Sequence, residues 1–567
     1  MPDKLRVVMT SAALALSLSG TGLTQTLVEE MGATQIGSTL QQSGMPVLGR
    51  ITAPAAQPST AQPSTVQPSP IQPSAAGVSP PPQAPAQGTP SAGAAPVLPA
   101  SRPTPAYLSA LDAARRSFQA GNPRQARQQY ERLVARDYQN PQAHFGLGLA
   151  LFGLGDLQGA RFEFGQLISL DPGGFEGPYN LGVIASRQGQ SAEALSQFGK
   201  AAELARGKVS VPVLRQVLEA LASEQARRGD YAALSLTLAS LTANQPDDLG
   251  LRFRQAQALR LSGHGTDALP LLYGVRQQQP GQVDAALLTA DIYAGQGLYG
   301  RGIRELDAAL GAVKDGPSRS RLLLRRSDLL VLAGRTHDAV LAAQAAVGAD
   351  AGSAPAQARL GELRFSRGDA RGALAAWSAA VSLTPASAAY RANLATVKLS
   401  LGQLAAAVGD AQAAVRLSQT AADDPAKARA QFVLGVAAYR RGAYADARSD
   451  LTASVAKLLD ASSYLWLGLS SYALRDYPAA ATALGESVRL QPTPVARLNL
   501  GSALLASGRY PEAEAALRAV VVADTGNADA WYRLGLSRRA QGRETEARSA
   551  LRTAARLGSA PARGALK

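Results

Sequence analysis

Residues 141–172 read PQAHFGLGLALFGLGDLQGARFEFGQLISLDP. Leu147, Gly148 and Leu151 fall at i, i+1 and i+4, on one face of a first helix. Gly155 stands where that helix runs out, and glycine accepts the left-handed conformation that stops a helix. Ala160, Phe164 and Leu167 mark the inner face of a second helix, and Pro172 closes it. The stretch is a pair of helices joined by a tight glycine turn.

The same unit returns along the chain, with starts near residues 107, 141, 175, 215, 249, 283, 320, 354, 388, 428, 461, 494 and 528. The turn slot is glycine in twelve of the thirteen copies, from Gly121 to Gly542, and Arg475 fills it in the other. A first-helix slot is always small, as in Ala114, Gly148, Ser327, Gly361 and Gly535. A second-helix slot is small in all copies but one, where Leu234 stands. Two helices cross closely only where neither carries a bulky side chain, and a large neighbour such as Phe164, Phe198 or Trp377 then fills the pocket beside the crossing. Self-similarity at a period of mostly 34 residues marks a stack of small helical units rather than one globular core. The wider spacings predict longer connections near Arg206 to Leu214, Pro317 to Arg319 and Ala421 to Lys427.

The Leu-Gly pairs (Leu147-Gly148, Leu181-Gly182, Leu360-Gly361), the alanine of the second helix, the bulky residue after it and the closing prolines Pro172, Pro246, Pro280, Pro385 and Pro492 resemble the tetratricopeptide repeat family. The resemblance implies an all-α fold over residues 107–567: a right-handed superhelical solenoid of about thirteen helix–turn–helix units, with first helices lining a concave groove. It places Phe145, Phe152, Tyr179, Phe253, Phe365, Phe432, Tyr439, Tyr472 and Tyr532 on that groove, with Leu465 and scattered arginines such as Arg260 and Arg440. Such a surface suits an extended or helical peptide. Family members that dock chaperones clamp a C-terminal carboxylate with lysine and asparagine. Asn180, Asn393 and Asn499 occupy an asparagine slot here, but Gln142 and Glu176 stand where a lysine is expected, so this mode is not expected.

The N-terminal residues differ from the rest. Lys4 and Arg6 precede an apolar run from Val7 to Leu18 and then small residues, which describes a signal peptide or N-terminal anchor over residues 1–25. Residues 26–105 read as a disordered linker rich in Pro, Gln, Ser and Ala, with Gln-Pro-Ser recurring at Gln57, Gln62, Gln67 and Gln72. Proline removes backbone donors and few large apolar side chains are present to order the segment. Export to the periplasm, cell envelope or exterior, with a possible N-terminal tether, is the expected localisation.

Composition narrows the chemistry. The chain has no cysteine, which excludes disulfides, thiolate metal sites and cysteine nucleophiles. His144, His264 and His337 have no partner at metal-ligand spacing and read as ordinary surface or turn residues. There is no P-loop and no nucleophile elbow. No catalytic residue, metal, cofactor or small-molecule substrate is expected. The reading is a non-catalytic scaffold of the cell envelope that binds partner proteins or peptides in its groove. The alternative follows from the net charge of +15: an Arg-rich face that binds an anionic polymer such as a cell-wall polysaccharide, nucleic acid or lipid surface. On the final helix, Arg548, Arg552 and Arg556 are expected to solvate the open end of the stack.

Overall fold

The computed structural model describes residues 104–421 and 423–566. The signal-like segment and all but the last two residues of the linker lie outside the described residues. Among those described there are 27 helices and no strand, and no helix is long and apolar enough to cross a membrane. They fall into two units.

The first unit, to Leu298, holds α1 (Pro105–Gln119), α2 (Pro123–Arg136), α3 (Pro141–Gly153), α4 (Leu157–Leu170), α5 (Glu176–Arg187), α6 (Ser191–Ala205), α7 (Val211–Arg228), α8 (Tyr231–Asn244), α9 (Leu249–Leu261), α10 (Gly265–Gln278) and α11 (Val283–Gly295). The second, from Tyr299, holds α12 (Tyr299–Ala312), α13 (Gly316–Leu332), α14 (Thr336–Ala349), α15 (Ala354–Ser366), α16 (Ala370–Leu383), α17 (Ala388–Ser400), α18 (Leu404–Ala421), α19 (Asp424–Arg440), α20 (Tyr444–Val455), α21 (Ala461–Ala473), α22 (Tyr477–Leu490), α23 (Pro494–Ala506), α24 (Tyr510–Ala523), α25 (Ala528–Ala540), α26 (Glu544–Arg556) and α27 (Ala560–Ala565). Within each unit a helix packs on its chain neighbours, and several pairs of successive first helices also touch. This is the helix-pair stack that the period predicts.

Size complementarity holds each pair together. A Cβ added at Gly148 would sit 2.6 Å from the Phe164 ring, at Gly182 2.7 Å from Phe198, at Gly361 2.8 Å from Trp377, and at Gly535 2.7 Å from Leu551. All four large side chains are fully buried. A bare Cα therefore lets the second helix seat its largest residue against the first. Gly148→Ala is expected to push the Phe164 ring out of place and to cost about 1–2 kcal/mol, read as a lower urea midpoint by circular dichroism.

The turns are uniform. Each slot glycine has positive φ; Gly155 stands at 83° and Gly442 at 77°. Arg475 takes the same conformation, with φ 62°, and is the sole non-glycine among the described residues to do so. A Cβ there crowds the following carbonyl. Arg475→Gly is therefore expected to raise stability by ~1 kcal/mol, seen as a higher melting temperature.

The wider spacings are absorbed differently from the expectation of longer connections. The linking segments are only 206–210, 313–315 and 422–423; the added residues extend α7, α13, α18 and α19 to 17 or 18 residues. Asp315 and Asp423 cap α13 and α19, accepting from the amides of Ser318 at 2.9 Å and Ala426 at 3.1 Å. Pro212, Pro317 and Pro425 sit in the first turn of their helices, where the missing N–H has no intrahelical partner to lose. Pro105, read with the linker, likewise opens α1 behind the Thr104 cap.

At the C-terminus the helix read as the last, α26, is followed by the short α27, which seats Ala562 against Leu551 and Ala554. Arg548, Arg552 and Arg556 are exposed on α26, and Arg548 pairs with Glu544 at 2.9 Å.

Candidate protein-interaction surface

The nine aromatic residues assigned to the groove all lie in, or pack on, the inter-helix cores. Phe145, Phe152 and Tyr179 are buried in the core of the first unit, where Phe145 meets Phe164 and Tyr179 meets Phe198 at ring-centroid distances of 6.3 and 5.7 Å. The Arg187 guanidinium lies 4.1 Å over the Phe152 ring. Phe365, Phe432 and Tyr439 are buried in the core of the second unit, and Tyr439 meets Trp466 edge-on at 5.1 Å. Phe253, Tyr472 and Tyr532 are half-buried. Leu465 is buried too. Burial pushes the Tyr179 hydroxyl up to about 12, and it accepts a hydrogen bond from Gln216 Nε2 at 3.2 Å.

Polar contacts join one first helix to the next within each unit. In the first unit Arg254 on α9 reaches Glu219 on α7, with both of its terminal nitrogens 3.2 Å from the carboxylate. In the second, Arg359 on α15 lies 3.0 Å from Asp328 on α13 and 2.8 Å from Glu362 on its own helix. Burial works against the Arg359 cation, but Glu362 and Asp328 outweigh it and hold its pKa above the ordinary value. Arg429 on α19 donates to Asn393 Oδ1 on α17 at 2.9 Å. Its burial lowers its pKa, against the opposing pull of Asp423, Glu362 and Asp460. Asp460 is displaced the other way, raised by burial against hydrogen bonds from Ser463. Arg440 is half-buried, and burial lowers its pKa also.

The three asparagines of the equivalent first-helix slot are all buried. Asn180 donates to the Glu176 carbonyl at 2.8 Å, leaving its Oδ1 with no partner among the described residues. Asn393 and Asn499 each leave Nδ2 without one.

His144 is not the surface residue expected from the sequence. It is fully buried, with Nδ1 2.6 Å from Glu163 Oε2 and Nε2 2.8 Å from the Tyr138 carbonyl. Both ring nitrogens face acceptors, and the contact to Glu163 ties the start of α3 to α4. His264 and His337 are exposed, His264 just before α10 and His337 in the first turn of α14. Among the described residues no group of three or more His, Cys, Asp or Glu is arranged to hold a metal.

The tetratricopeptide repeat profile matches residues 111–175, 287–354, 399–464, 465–528 and 498–561, just over half of the chain. No curated protein matches in sequence. Among solved structures the chain is similar to Naa15/Naa10 bound to HypK-THB, at 14% identity over 79% of this chain and 75% of that one, with a TM-score of 0.42. It is similar to the APC/C hetero-tetramer Cut9-Hcn1, at 14% identity over 81% of this chain and 97% of that one, with a TM-score of 0.36. It is also similar to YrrB, a TPR protein with an unusual peptide-binding site, at 22% identity over 32% of this chain and 92% of that one, with a TM-score of 0.30. Repeat period, helix pairing and profile agree: the chain belongs to the tetratricopeptide repeat family.

Proposed function

We propose that this protein is a non-catalytic scaffold that binds partner proteins or peptides along the face lined by its first helices. The observation that carries the reading is the set of buried asparagines, Asn180, Asn393 and Asn499. Each stands at the same slot of a first helix and leaves an amide atom with no hydrogen-bond partner among the described residues. A buried polar atom left unsatisfied is costly, so an amide kept at the same first-helix slot in three repeats is not there for packing alone. Aromatic side chains beside charged ones are also the composition of binding hot spots. The signal-like start and the proline-rich linker support a cell-envelope setting with the repeats held off the membrane.

The test is site-specific photo-crosslinking of the full-length protein in its native cells. The probe replaces half-buried first-helix residues Gln257 or Leu536 and, as controls, the exposed Leu236 and Val522 on second helices. The expected result is one partner captured from the first-helix positions and lost when Asn393 is changed to Ala. Equal capture from the second-helix controls would reject the surface assignment. Cell fractionation reports the setting, and recovery with the cytoplasm would reject the envelope.

A further inference from the structure

The single turn that abandons glycine keeps the glycine conformation. The Arg475 amide donates to the Tyr472 carbonyl and that of Asp476 to the Ser471 carbonyl, both at 2.9 Å. Gly442 and Ala443 make the same two bonds one repeat earlier. Among the described residues no side chain offsets the strained residue. The Arg475 side chain is exposed, and no carboxylate among the described residues lies within ion-pair distance of it. Its neighbour Asp476 is engaged with Arg448 at 3.4 Å. Strain at an exposed turn with no internal compensation points to a contact made outside the chain.

Other turns of this unit treat their arginines differently. Arg335 pairs with Asp338, Arg509 with Glu512 and Arg543 with Glu546, each three residues on. Three residues after Arg441 stands Tyr444, and after Arg475 stands Pro478. Two adjacent turns therefore carry cations without a direct ion pair: Arg475 in one, and Arg440 and Arg441 in the other, where the charge of Arg441 acts on Asp450 from beyond ion-pair distance. Tyrosine pairs flank them: Tyr439 with Tyr444 and Tyr472 with Tyr477, each edge-to-face at 5.2 Å. Leu474 is exposed between them.

We infer that the edge formed by residues 439–444 and 472–477 docks an acidic segment of a partner protein, its carboxylates held by Arg441 and Arg475 and its side chains or main chain laid on the half-buried Tyr444, Tyr472 and Tyr477. Guanidinium–carboxylate bonds are charge-assisted and directional, and arginine with tyrosine is the pairing that interfaces favour. The patch is two turns wide. Beyond it Arg509 and Arg543 are neutralised by Glu512 and Glu546, so the open cations end after two turns, which suits a short acidic segment rather than an extended polyanion. This surface lies on the helix turns and does not rest on the first-helix reading above.

The experiment is fluorescence anisotropy with a fluorescein-labelled peptide of alternating glutamate and phenylalanine, titrated with the full-length protein at physiological salt. Arg475→Gly and Arg441→Gln are each expected to weaken Kd ~tenfold. Arg475→Gly is the sharper variant because it relaxes the backbone: the protein should melt higher while it binds more weakly, so lost binding is not unfolding. Arg552→Gln, at an exposed arginine two repeats on, should leave Kd unchanged. Wild-type affinity in Arg475→Gly overturns the proposal. Equal weakening in Arg552→Gln does so as well, since attraction would then be diffuse. So does single-stranded DNA or a phosphatidylglycerol vesicle that binds with Arg475 dependence while the peptide does not.

Discussion

Trp377→Ala is expected to lower stability by about 3–5 kcal/mol, the usual cost of deleting a fully buried indole. Trp377 is completely buried, rests against the bare Cα of Gly361, and meets the Tyr390 ring of the next repeat at 5.8 Å. One side chain therefore serves both the packing within its repeat and the interface to the following one. Because stability in a repeat stack is a sum of unit and nearest-neighbour terms, the loss falls on the eighth and ninth repeats first. Trp466 and Trp531 remain as fluorescent reporters toward the C-terminus. Urea unfolding followed by far-ultraviolet circular dichroism should show an earlier transition, with tryptophan fluorescence lagging behind it. The indole N–H has no partner among the described residues, so Trp377→Phe removes an unsatisfied donor along with some volume and should cost ~1 kcal/mol. An unchanged midpoint in Trp377→Ala would refute the packing account.

The steric part of this fold was legible because it acts within one repeat. A left-handed turn needs a residue without Cβ, and a close crossing needs small residues, so Gly155 or Gly361 announces its role alone. Arg475 could be placed in its turn by register, and its φ confirms that register. Other features depend on what stands across an interface. The wider spacings around Pro317 and Pro425 read as longer connections, yet these prolines open helices that Asp315 and Asp423 cap, and the preceding connections are short. The groove aromatics sit on first helices as the resemblance implies, but how deeply each is buried is set by the neighbouring repeat. His144 was misread because Glu163 lies nineteen residues on, across the turn, and the other acceptor is a main-chain carbonyl that no side-chain pattern reveals. The asparagine slot was visible, whereas the cation beside Asn393 was not: Arg429 comes from the extended helix of the next repeat.

Glu514 gathers more cations than any neighbouring carboxylate, and Glu514→Ala is expected to cost ~2–4 kcal/mol, concentrated in the last repeat. The residue is buried on α24, and its two oxygens receive Arg518 at 2.6 Å, Arg538 at 3.1 Å, Arg543 at 2.6 Å and Gln541 Nε2 at 3.0 Å. Three of these donors belong to α25 or the turn after it, so one carboxylate fastens the thirteenth repeat to the twelfth. Arg538 is the partner least able to turn to water, and its stranding sets most of the cost; Arg518 and Arg543 are more exposed and recover solvation. Burial alone would raise the Glu514 pKa, but the hydrogen bonds from Gln541, Arg538 and Arg518 and the charge of Arg543 reverse it, leaving the group below its ordinary value of 4.5. A carboxylate with a depressed folded pKa stabilises the fold fully above its unfolded pKa. That contribution declines as pH falls past about 4.5 and is gone below the folded value. The wild-type protein should therefore loosen at its C-terminal repeat as acid is added, while Glu514→Gln should lack this component of the pH dependence. Hydrogen exchange of α25 and α26 amides at pH 7 and in mild acid measures it. Equal acid sensitivity of those amides in both proteins would show that Glu514 is not the fastening.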